Sequence, residues 1–209
     1  MERQDHMRLT LLGPPGSGKG TQATRIAGRL RLPAIHVGAL LRRHADQKSP
    51  LGTAVEPFLR RGDLVPDPLV TRMVLERLAQ PDCASGFVLD GFPRTIGQAE
   101  ALDRHLEARA VTLDAACYLE VPDDELWRRL LGRGRSDDDE RVARHRLAVF
   151  TAQTRPLLDH YRRRGRLVVV DAVGPPDVVS ERILGALARR VDAGIPPPPG
   201  RCGNGGLVS

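Results

Sequence analysis

Short apolar runs alternate with longer amphipathic segments along most of the chain. The apolar runs cover residues 9–12, 34–37, 87–89, 116–121 and 167–170. Between them apolar residues recur at helical spacing, as in the segment that begins near Lys19 and carries Ala23, Ile26, Ala27 and Leu30 on one side. This alternation predicts an α/β fold, in which helices flank both faces of a five-stranded parallel sheet.

One stretch is longer than a simple connection between two strands requires. Residues 38–75 hold two helical patterns separated by "RRGDLVPDP". A connection of this length predicts a small inserted helical subdomain, which we place at about residues 36–66.

Two further helices are predicted in the second half of the chain, and unstructured segments at its two ends. The segment "DDELWRRLLG" predicts a helix that ends at Gly132, and "SDDDERVA" predicts another, capped by Ser136 and broken or bent by Pro156. Residues 1–7 are expected to form a flexible leader, and the Pro- and Gly-rich residues 191–209 a disordered tail. Residues 8–190 are therefore predicted to form one domain.

Composition narrows the class of partner. The 209 residues carry a net charge of +6, and only 3% are aromatic. Basic charge suits nucleic acid, a membrane surface or small polyanions, but few aromatic side chains are available to stack on a single strand. No apolar run approaches the ~18 residues of a membrane span. We expect a cytoplasmic protein that binds small anions and neither nucleic acid nor membrane, although a composition rich in Arg also explains the charge.

The glycine-rich segment "GPPGSGKGT" has the G-x-x-x-x-G-K spacing of a phosphate-binding P-loop from Gly13 to Lys19. It follows an apolar strand pattern and precedes a helical one, which is the context that this motif requires. Backbone N–H groups of such a loop surround phosphate oxygens, and Lys19 adds a compact positive charge. The segment predicts a nucleotide phosphate site, and a glycine-rich surface turn is the alternative. Gly20 stands where Ser or Thr usually binds magnesium.

A second motif, "FVLDGFPRT", places Asp90 where an apolar strand ends. In a parallel sheet this edge is also the edge at which the P-loop opens, so Asp90 and Lys19 are predicted to share one crevice. A carboxylate there can hold Mg²⁺ through its waters, while a solvated turn aspartate is the alternative. Arg94 offers a fork for a phosphate, and Gln98 carries a donor and an acceptor for a base edge.

Four motifs in order, "GPPGSGKGTQ", "GDLVPD", "VLDGFPRT" and "GRSDDDERVARHRL", resemble adenylate kinase and its nucleoside monophosphate kinase relatives over about residues 7–190. The resemblance implies a P-loop kinase in which the inserted subdomain binds the monophosphate (NMP). It also implies a short lid over about residues 132–142, without the structural zinc of long-lid members. The activity implied is reversible transfer of the terminal phosphoryl group of MgATP to a nucleoside monophosphate, foremost AMP. A kinase for CMP or UMP, or a nucleotide-binding sensor with little turnover, is the alternative.

The resemblance also assigns roles to residues, in a protein expected to be a monomer. The implied catalytic residues are Lys19, Asp90, Arg94, Arg133, Arg135 and Arg146. The implied ATP contacts are Gly16, Ser17, Gly18, Lys19, Gly20, Thr21, Arg129 and Arg133. The implied monophosphate contacts are Val37, Gly38, Arg42, Asp63, Leu64, Val65, Gly91, Phe92, Pro93, Arg94, Gln98, Arg135 and Arg146. Asp90 is implied to hold Mg²⁺ through water.

The segment "IHVGALLRR" departs from the family pattern, which resembles "ISTGDLLR". Val37 replaces a threonine beside the acceptor base, and Ala39 replaces an aspartate near the metal-bound waters. The sequence therefore leaves the base preference open between AMP and pyrimidine monophosphates. Because Ala39 has no carboxylate, the waters bound to magnesium are also predicted to be held less firmly.

Overall fold

The computed structural model describes residues 6–131 and 140–192, the last two by their backbone alone. The predictions for Arg133, Arg135 and the Ser136 cap, and those for most of the lid and the tail, lie outside these residues. Met7, the last residue of the predicted leader, is 5% exposed and belongs to the core. Met7 therefore packs with the domain that follows it.

Five parallel strands form one sheet. They are β1 (Arg8–Leu12), β2 (Ala34–His36), β3 (Phe87–Asp90), β4 (Ala115–Glu120) and β5 (Leu167–Asp171), in the spatial order β2-β3-β1-β4-β5. Each coincides, within a residue at either end, with a predicted strand. The α/β prediction is confirmed.

Helices connect the strands on both faces of the sheet. In the described residues they are α1 (Lys19–Leu30), α2 (Val37–Asp46), α3 (Pro50–Arg61), α4 (Asp67–Leu78), α5 (Ile96–Glu107), α6 (Asp123–Leu131), α7 (Glu140–Val149), α8 (Leu157–Arg163) and α9 (Pro176–Asp192). A 3-10 turn at Pro81–Cys83 and a π-helical turn at Phe150–Thr154 complete them. Within this part of the chain no helix has both the length and the apolar composition of a membrane span.

The region of residues 38–75, for which two helical patterns were predicted, contains helix α3 and most of α2 and α4, so the prediction of two is wrong. The predicted subdomain of about residues 36–66 contains α2 and α3. The break between α2 and α3 has a local cause. Lys48 has a left-handed backbone (φ 49°), and the Ser49 side chain accepts a 3.0 Å hydrogen bond from the backbone N–H of Gly52. Pro50 follows in the first turn of α3, where its missing N–H costs nothing. These three residues end one helix and start the next.

The break predicted at Pro156 is present. Regular α-helix ends at Val149, and the π-helical turn closes with a 2.8 Å hydrogen bond from the Arg155 N–H to the Phe150 carbonyl. Because proline lacks an N–H and its ring clashes with the carbonyl four residues earlier, it bends or breaks a regular helix. Helix α8 starts directly after Pro156.

Two apolar clusters cover the two faces of the sheet. Successive strand residues point to opposite faces, so Val88 packs into the cluster that contains Ile26 of α1. Its neighbours Phe87 and Leu89 pack into the other cluster, which contains Leu102 of α5. Both clusters are built from residues far apart in sequence, which fixes the carboxyl ends of β1, β2 and β3 relative to one another.

Cys83 and Cys117 are buried free thiols. Burial raises the pKa of Cys117 to about 12, so this thiol is un-ionised at neutral pH. The third cysteine, Cys202, lies outside the described residues.

Candidate active site

A cleft opens at the carboxyl ends of β1 and β3. Its larger cavity has a volume of about 180 Å³ and lies between the P-loop and the end of β3. A smaller cavity of about 70 Å³ lies on the side of α2 and α4. Both cavities are lined by Leu59, Asp63, Leu64, Gly91 and Arg94, so they are two ends of one cleft.

The P-loop brings a helix N-terminus to the larger cavity. Gly18 is the N-cap of α1 and has φ 89°, a left-handed conformation that glycine adopts without strain. No side chain of the described residues caps this helix, and Gly18, Lys19 and Gly20 line the cavity. The Lys19 Nζ lies 2.8 Å from the Pro14 carbonyl and 3.3 Å from the Ser17 Oγ. Backbone N–H groups of a first helical turn and an ammonium at the same helix end form an anion site.

Asp90, the last residue of β3, supplies a carboxylate to the same cavity. Burial acts to raise its pKa, but the hydrogen bond from His36 and the charges of Lys19 and Arg94 together lower the pKa of Asp90 below its ordinary value. The carboxylate is therefore ionised at neutral pH. A Cβ atom at Gly20 would lie 3.2 Å from the Asp90 Oδ2. Glycine in place of the usual Ser or Thr thus leaves room for this carboxylate.

His36, at the end of β2, is a polar partner of Asp90 that the sequence analysis missed. Its Nδ1 lies 3.1 Å from the Asp90 Oδ2, and its Nε2 lies 3.1 Å from the Thr24 Oγ1. His36 and Asp90 are paired in register on adjacent parallel strands. The available signal was a histidine at the end of an apolar strand, but the partner strand lies more than fifty residues away in sequence.

We expect the stabilisation from His36 to depend on pH. Hydrogen bonding to Asp90 raises the pKa of His36 above its ordinary 6.5, although burial acts in the opposite direction. Stabilisation by a group whose pKa is raised on folding is complete below the unfolded pKa and is lost as pH rises through the folded pKa. The free energy of unfolding of the wild type minus that of His36→Gln, from urea denaturation, should therefore shrink from about pH 5.5 to about pH 8.5. A difference that stays constant or grows with pH would contradict this pairing.

Within the described residues, three arginines line the larger cavity: Arg42, Arg94 and Arg146. Arg94 is exposed to the open cleft, and its Nε donates to the Gly91 carbonyl at 3.1 Å. Desolvation by the walls of the cleft lowers the pKa of Arg94, the nearby Asp90 raises it, and the like charges of Arg146 and Arg42 lower it further. Arginine remains protonated at neutral pH, so the cavity concentrates positive charge that suits a polyanion.

Helix α7 contacts the inserted helices at Gly62. A Cβ atom there would lie 3.0 Å from the Arg146 Cγ and 3.1 Å from the Val142 Cγ1. Next to it, the His145 Nε2 lies 2.6 Å from the Asp63 Oδ1. The place of the Arg146 side chain therefore depends on the small residue at position 62.

We expect Gly62→Ala to destabilise the fold by about 1–2 kcal/mol, because Gly62 has φ 76° and a side chain costs roughly this much in a left-handed conformation. Gly28→Ala is the matched control. Gly28 lies inside α1 with open space around its Cβ position, so that variant should be neutral or more stable by up to about 1 kcal/mol. Chemical denaturation of both variants measures the contrast. Equal effects of the two substitutions would contradict the conformational strain expected from a side chain at position 62.

The smaller cavity is mainly apolar. Val37, Leu41, Val65 and Val70 line it, and the Gln98 amide is its one uncharged polar side chain in the described part of the chain. Val37 is 1% exposed and offers no hydrogen bond. The cavity therefore suits a flat, apolar group with one polar edge.

The two cavities bring most of the predicted site residues together. The larger is lined by Gly16, Gly18, Lys19, Gly20, Arg42, Asp63, Leu64, Asp90, Gly91, Pro93, Arg94 and Arg146. The smaller is lined by Val37, Gly38, Asp63, Leu64, Val65, Gly91, Arg94 and Gln98. Arg133 and Arg135 lie outside the described residues.

Four predicted site residues lie outside both cavities: Ser17, Thr21, Phe92 and Arg129. Phe92 packs in the core with 0% exposure, and its carbonyl accepts a 2.6 Å hydrogen bond from the Thr10 Oγ1. The Arg129 guanidinium donates to Glu125 and to the Ala172 carbonyl in the loop after β5. Phe92 thus packs in the core next to the site, and Arg129 connects α6 to that loop by a hydrogen bond.

The larger cavity is also lined by residues that lie outside the motifs from which site residues were predicted, among them Leu59, Val149, Phe150 and Thr154. Leu59 lies four residues after Val55 on one face of α3. The other three lie where α7 passes into the π-helical turn. The apolar residues among them could have indicated a buried face, but not that this face borders a cavity.

Comparisons with known proteins agree with this geometry. A family model described as adenylate kinase matches residues 11–166. An adenylate kinase of Nocardia farcinica is 49% identical over 183 residues, covering 88% of this chain and 100% of the relative. An adenylate kinase of Kocuria rhizophila is 48% identical over 186 residues, covering 87% and 99% of the two chains. One of Streptomyces coelicolor is 40% identical over 215 aligned positions, covering 88% and 99%.

Proposed function

The chain belongs to the adenylate kinase family, and we propose that it transfers the terminal phosphoryl group of ATP to AMP, reversibly, to give two molecules of ADP. The observation that carries this proposal is the larger cavity, where the cation of the P-loop and the arginines next to the smaller, apolar cavity line one space. Lys19 and the N-terminus of α1 lie at one end, and Arg94 and Arg42 line the approach to the small apolar cavity. Two nucleotides bound in this way would meet phosphate to phosphate.

The donor end suits a triphosphate. The helix N-terminus and Lys19 would bind its outer phosphates, since both are fixed before any ligand arrives. Gly16, Ser17 and Thr21 belong to the same loop and first helical turn, and we assign them to this end. Arg129 and the lid arginine Arg133 are proposed as further donor contacts by family resemblance.

The acceptor end suits a nucleoside monophosphate. Arg94 and Arg42 would bind its phosphate, and the base would enter the cavity beside Val37 and Gln98. The relatives named above are adenylate kinases, which favours AMP over CMP or UMP.

The reaction needs positioning and charge more than acid–base chemistry. An oxygen of the acceptor phosphate attacks the terminal phosphorus of the donor, and the bond from that phosphorus to the bridging oxygen breaks in line. Negative charge spreads over the transferred oxygens, where Lys19, Arg94 and Arg146 would stabilise it, with Arg135 from the lid. Because the attacking oxygen is already anionic, the acceptor requires no general base.

The site residues fit a magnesium ion that would be held mainly by the donor phosphates. Among the described residues, no cluster of three or more His, Cys, Asp or Glu side chains could hold a metal ion. The ionised Asp90 carboxylate is available at the cavity to hold the waters of such an ion, and Ala39 adds no second carboxylate. Magnesium bound to the donor would neutralise part of the phosphate charge.

An acceptor screen tests the proposal. The purified full chain is incubated with ATP, magnesium and one of AMP, CMP, GMP or UMP, and ADP formation is followed by a coupled assay. We expect the highest kcat/KM with AMP, and ATP hydrolysis near background when the acceptor is omitted. Tight ATP binding with background turnover for every acceptor would instead identify a nucleotide-binding sensor and contradict the proposal.

A further inference from the structure

Both the oxygen and the nitrogen of the Gln98 amide form hydrogen bonds with groups whose donor or acceptor role cannot change. Its Oε1 accepts a 2.7 Å hydrogen bond from the backbone N–H of Arg94, and its Nε2 donates a 2.6 Å hydrogen bond to the Asp67 Oδ1. A backbone N–H only donates, and an ionised carboxylate only accepts. Turning the amide over would therefore place a donor against a donor and a carbonyl against a carboxylate.

Asp67 is itself positioned by the start of α5. Its Oδ2 accepts a 2.6 Å hydrogen bond from the Thr95 Oγ1. Thr95 is the N-cap of α5 and accepts from the Gln98 N–H at 3.2 Å. A Cβ atom at Gly97 would lie 3.2 Å from the Asp67 Oδ2, so glycine leaves room for the carboxylate. The network closes on Gln98, which is 2% exposed.

One donor and one acceptor of the amide remain for a ligand. A primary amide has two N–H groups and two oxygen lone pairs, and Asp67 and Arg94 each use one. Adenine presents an amino donor beside a ring-nitrogen acceptor, and cytosine does the same. Guanine and uracil present a carbonyl acceptor beside a ring N–H, which is the reverse order along the edge. A fixed amide therefore matches the amino bases and mismatches the keto bases.

We propose that Asp67 is a specificity-determining residue: by fixing the orientation of the Gln98 amide, it selects adenine and cytosine monophosphates over guanine and uracil monophosphates. The inference rests on the proposed function. Val37 supports it, because a valine side chain in the same cavity cannot form a hydrogen bond with the base. The other polar side chains of the cavity are charged, and Asp63 is already bonded to Arg61 and His145.

The test is Asp67→Asn, assayed with AMP, CMP, GMP and UMP. Asparagine can turn its own amide and donate to the Gln98 oxygen, so the reversed orientation of Gln98 loses one of its two penalties. We expect the kcat/KM ratios of AMP to GMP and of CMP to UMP to fall at least about fivefold. Asp67→Ala, which removes the carboxylate outright, should shift the ratios in the same direction. Each ratio comes from one preparation, so partial unfolding of a variant cancels.

Asp177→Asn is the matched control, because Asp177 also lies in the first turn of a helix, α9, and pairs with Arg25 away from the cleft. Its ratios should equal those of the wild type. If both Asp67 variants lower kcat/KM equally for all four acceptors, the residue is merely structural and the inference is overturned. It is also overturned if the wild type uses GMP and UMP as well as AMP and CMP. A wild type that phosphorylates none of the four would instead overturn the proposed function.

Discussion

Replacing Lys19 by methionine is expected to lower kcat for ADP formation from ATP and AMP by at least ~10³-fold while the fold is retained. The ammonium lies at the N-terminus of α1, 2.8 Å from the Pro14 carbonyl, at the edge of the larger cavity. Methionine keeps most of the apolar length of the side chain but removes the charge that would neutralise the transferred phosphoryl group. Steady-state rates at saturating ATP and AMP, with thermal unfolding of the same samples, measure the effect.

The chain offers a close control for this variant. Its other lysine, Lys48, is exposed in the turn between α2 and α3, and Lys48→Met should leave kcat within about twofold of the wild type. Turnover of Lys19→Met close to that of Lys48→Met would contradict the role of Lys19. Lys19→Arg should not restore the rate, because a planar guanidinium differs in shape from the compact ammonium.

Arg94→Ala is expected to lower kcat/KM for AMP by at least ~10²-fold, with ATP binding little changed. Arg94 lines both cavities, so its guanidinium lies where the acceptor phosphate would meet the donor. The backbone N–H that holds Gln98 remains in the alanine variant, so the loss isolates the guanidinium. Initial rates at varied AMP, together with calorimetric ATP binding, separate the two effects.

Arg60→Ala serves as the control for the arginine variant. Arg60 is exposed on α3 and pairs with Glu56 four residues before it, so its removal should cost only a few tenths of a kcal/mol in stability and leave kcat/KM for AMP unchanged. Loss of ATP binding in Arg94→Ala, with the KM for AMP unchanged, would place Arg94 at the donor end and contradict the assignment.

The sheet and the P-loop were predictable because their signals are local. Each strand is a short apolar run between turn residues, and the first helix starts at the lysine that ends the glycine-rich spacing. The meeting of Lys19 and Asp90 in one cleft followed from the rule that parallel strands share a carboxyl edge.

The inserted helices were less predictable. Residues 46–49 are all polar, which fits an exposed helix face as well as a turn, so the break before α3 could be recognised only from Ser49 followed by Pro50. Phe92 sits in a motif with site residues on either side, yet its side chain belongs to the core. A motif assigns chemistry to a segment, but only packing decides which of its side chains face the cleft.

Contacts between distant segments were outside the reach of sequence patterns. His36 pairs with Asp90, and Asp67 pairs with Gln98, across separations of 54 and 31 residues. Considered alone, each of these four side chains could equally be an ordinary polar residue in contact with solvent. The two pairings depend on how neighbouring strands and helices are aligned with one another. This alignment cannot be predicted from the pattern of a single sequence.

The most direct test of the account is a crystal structure of the full chain bound to a bisubstrate analogue, in which two adenosines are joined by a chain of five phosphates. We expect one analogue per cleft, with the Lys19 Nζ and the guanidinium groups of Arg94 and Arg146 within hydrogen-bond distance of the same phosphate chain. One adenine should meet the Gln98 amide in the smaller cavity. A phosphate chain bound elsewhere, or these three side chains turned away from it, would contradict direct transfer between two nucleotides in this cleft.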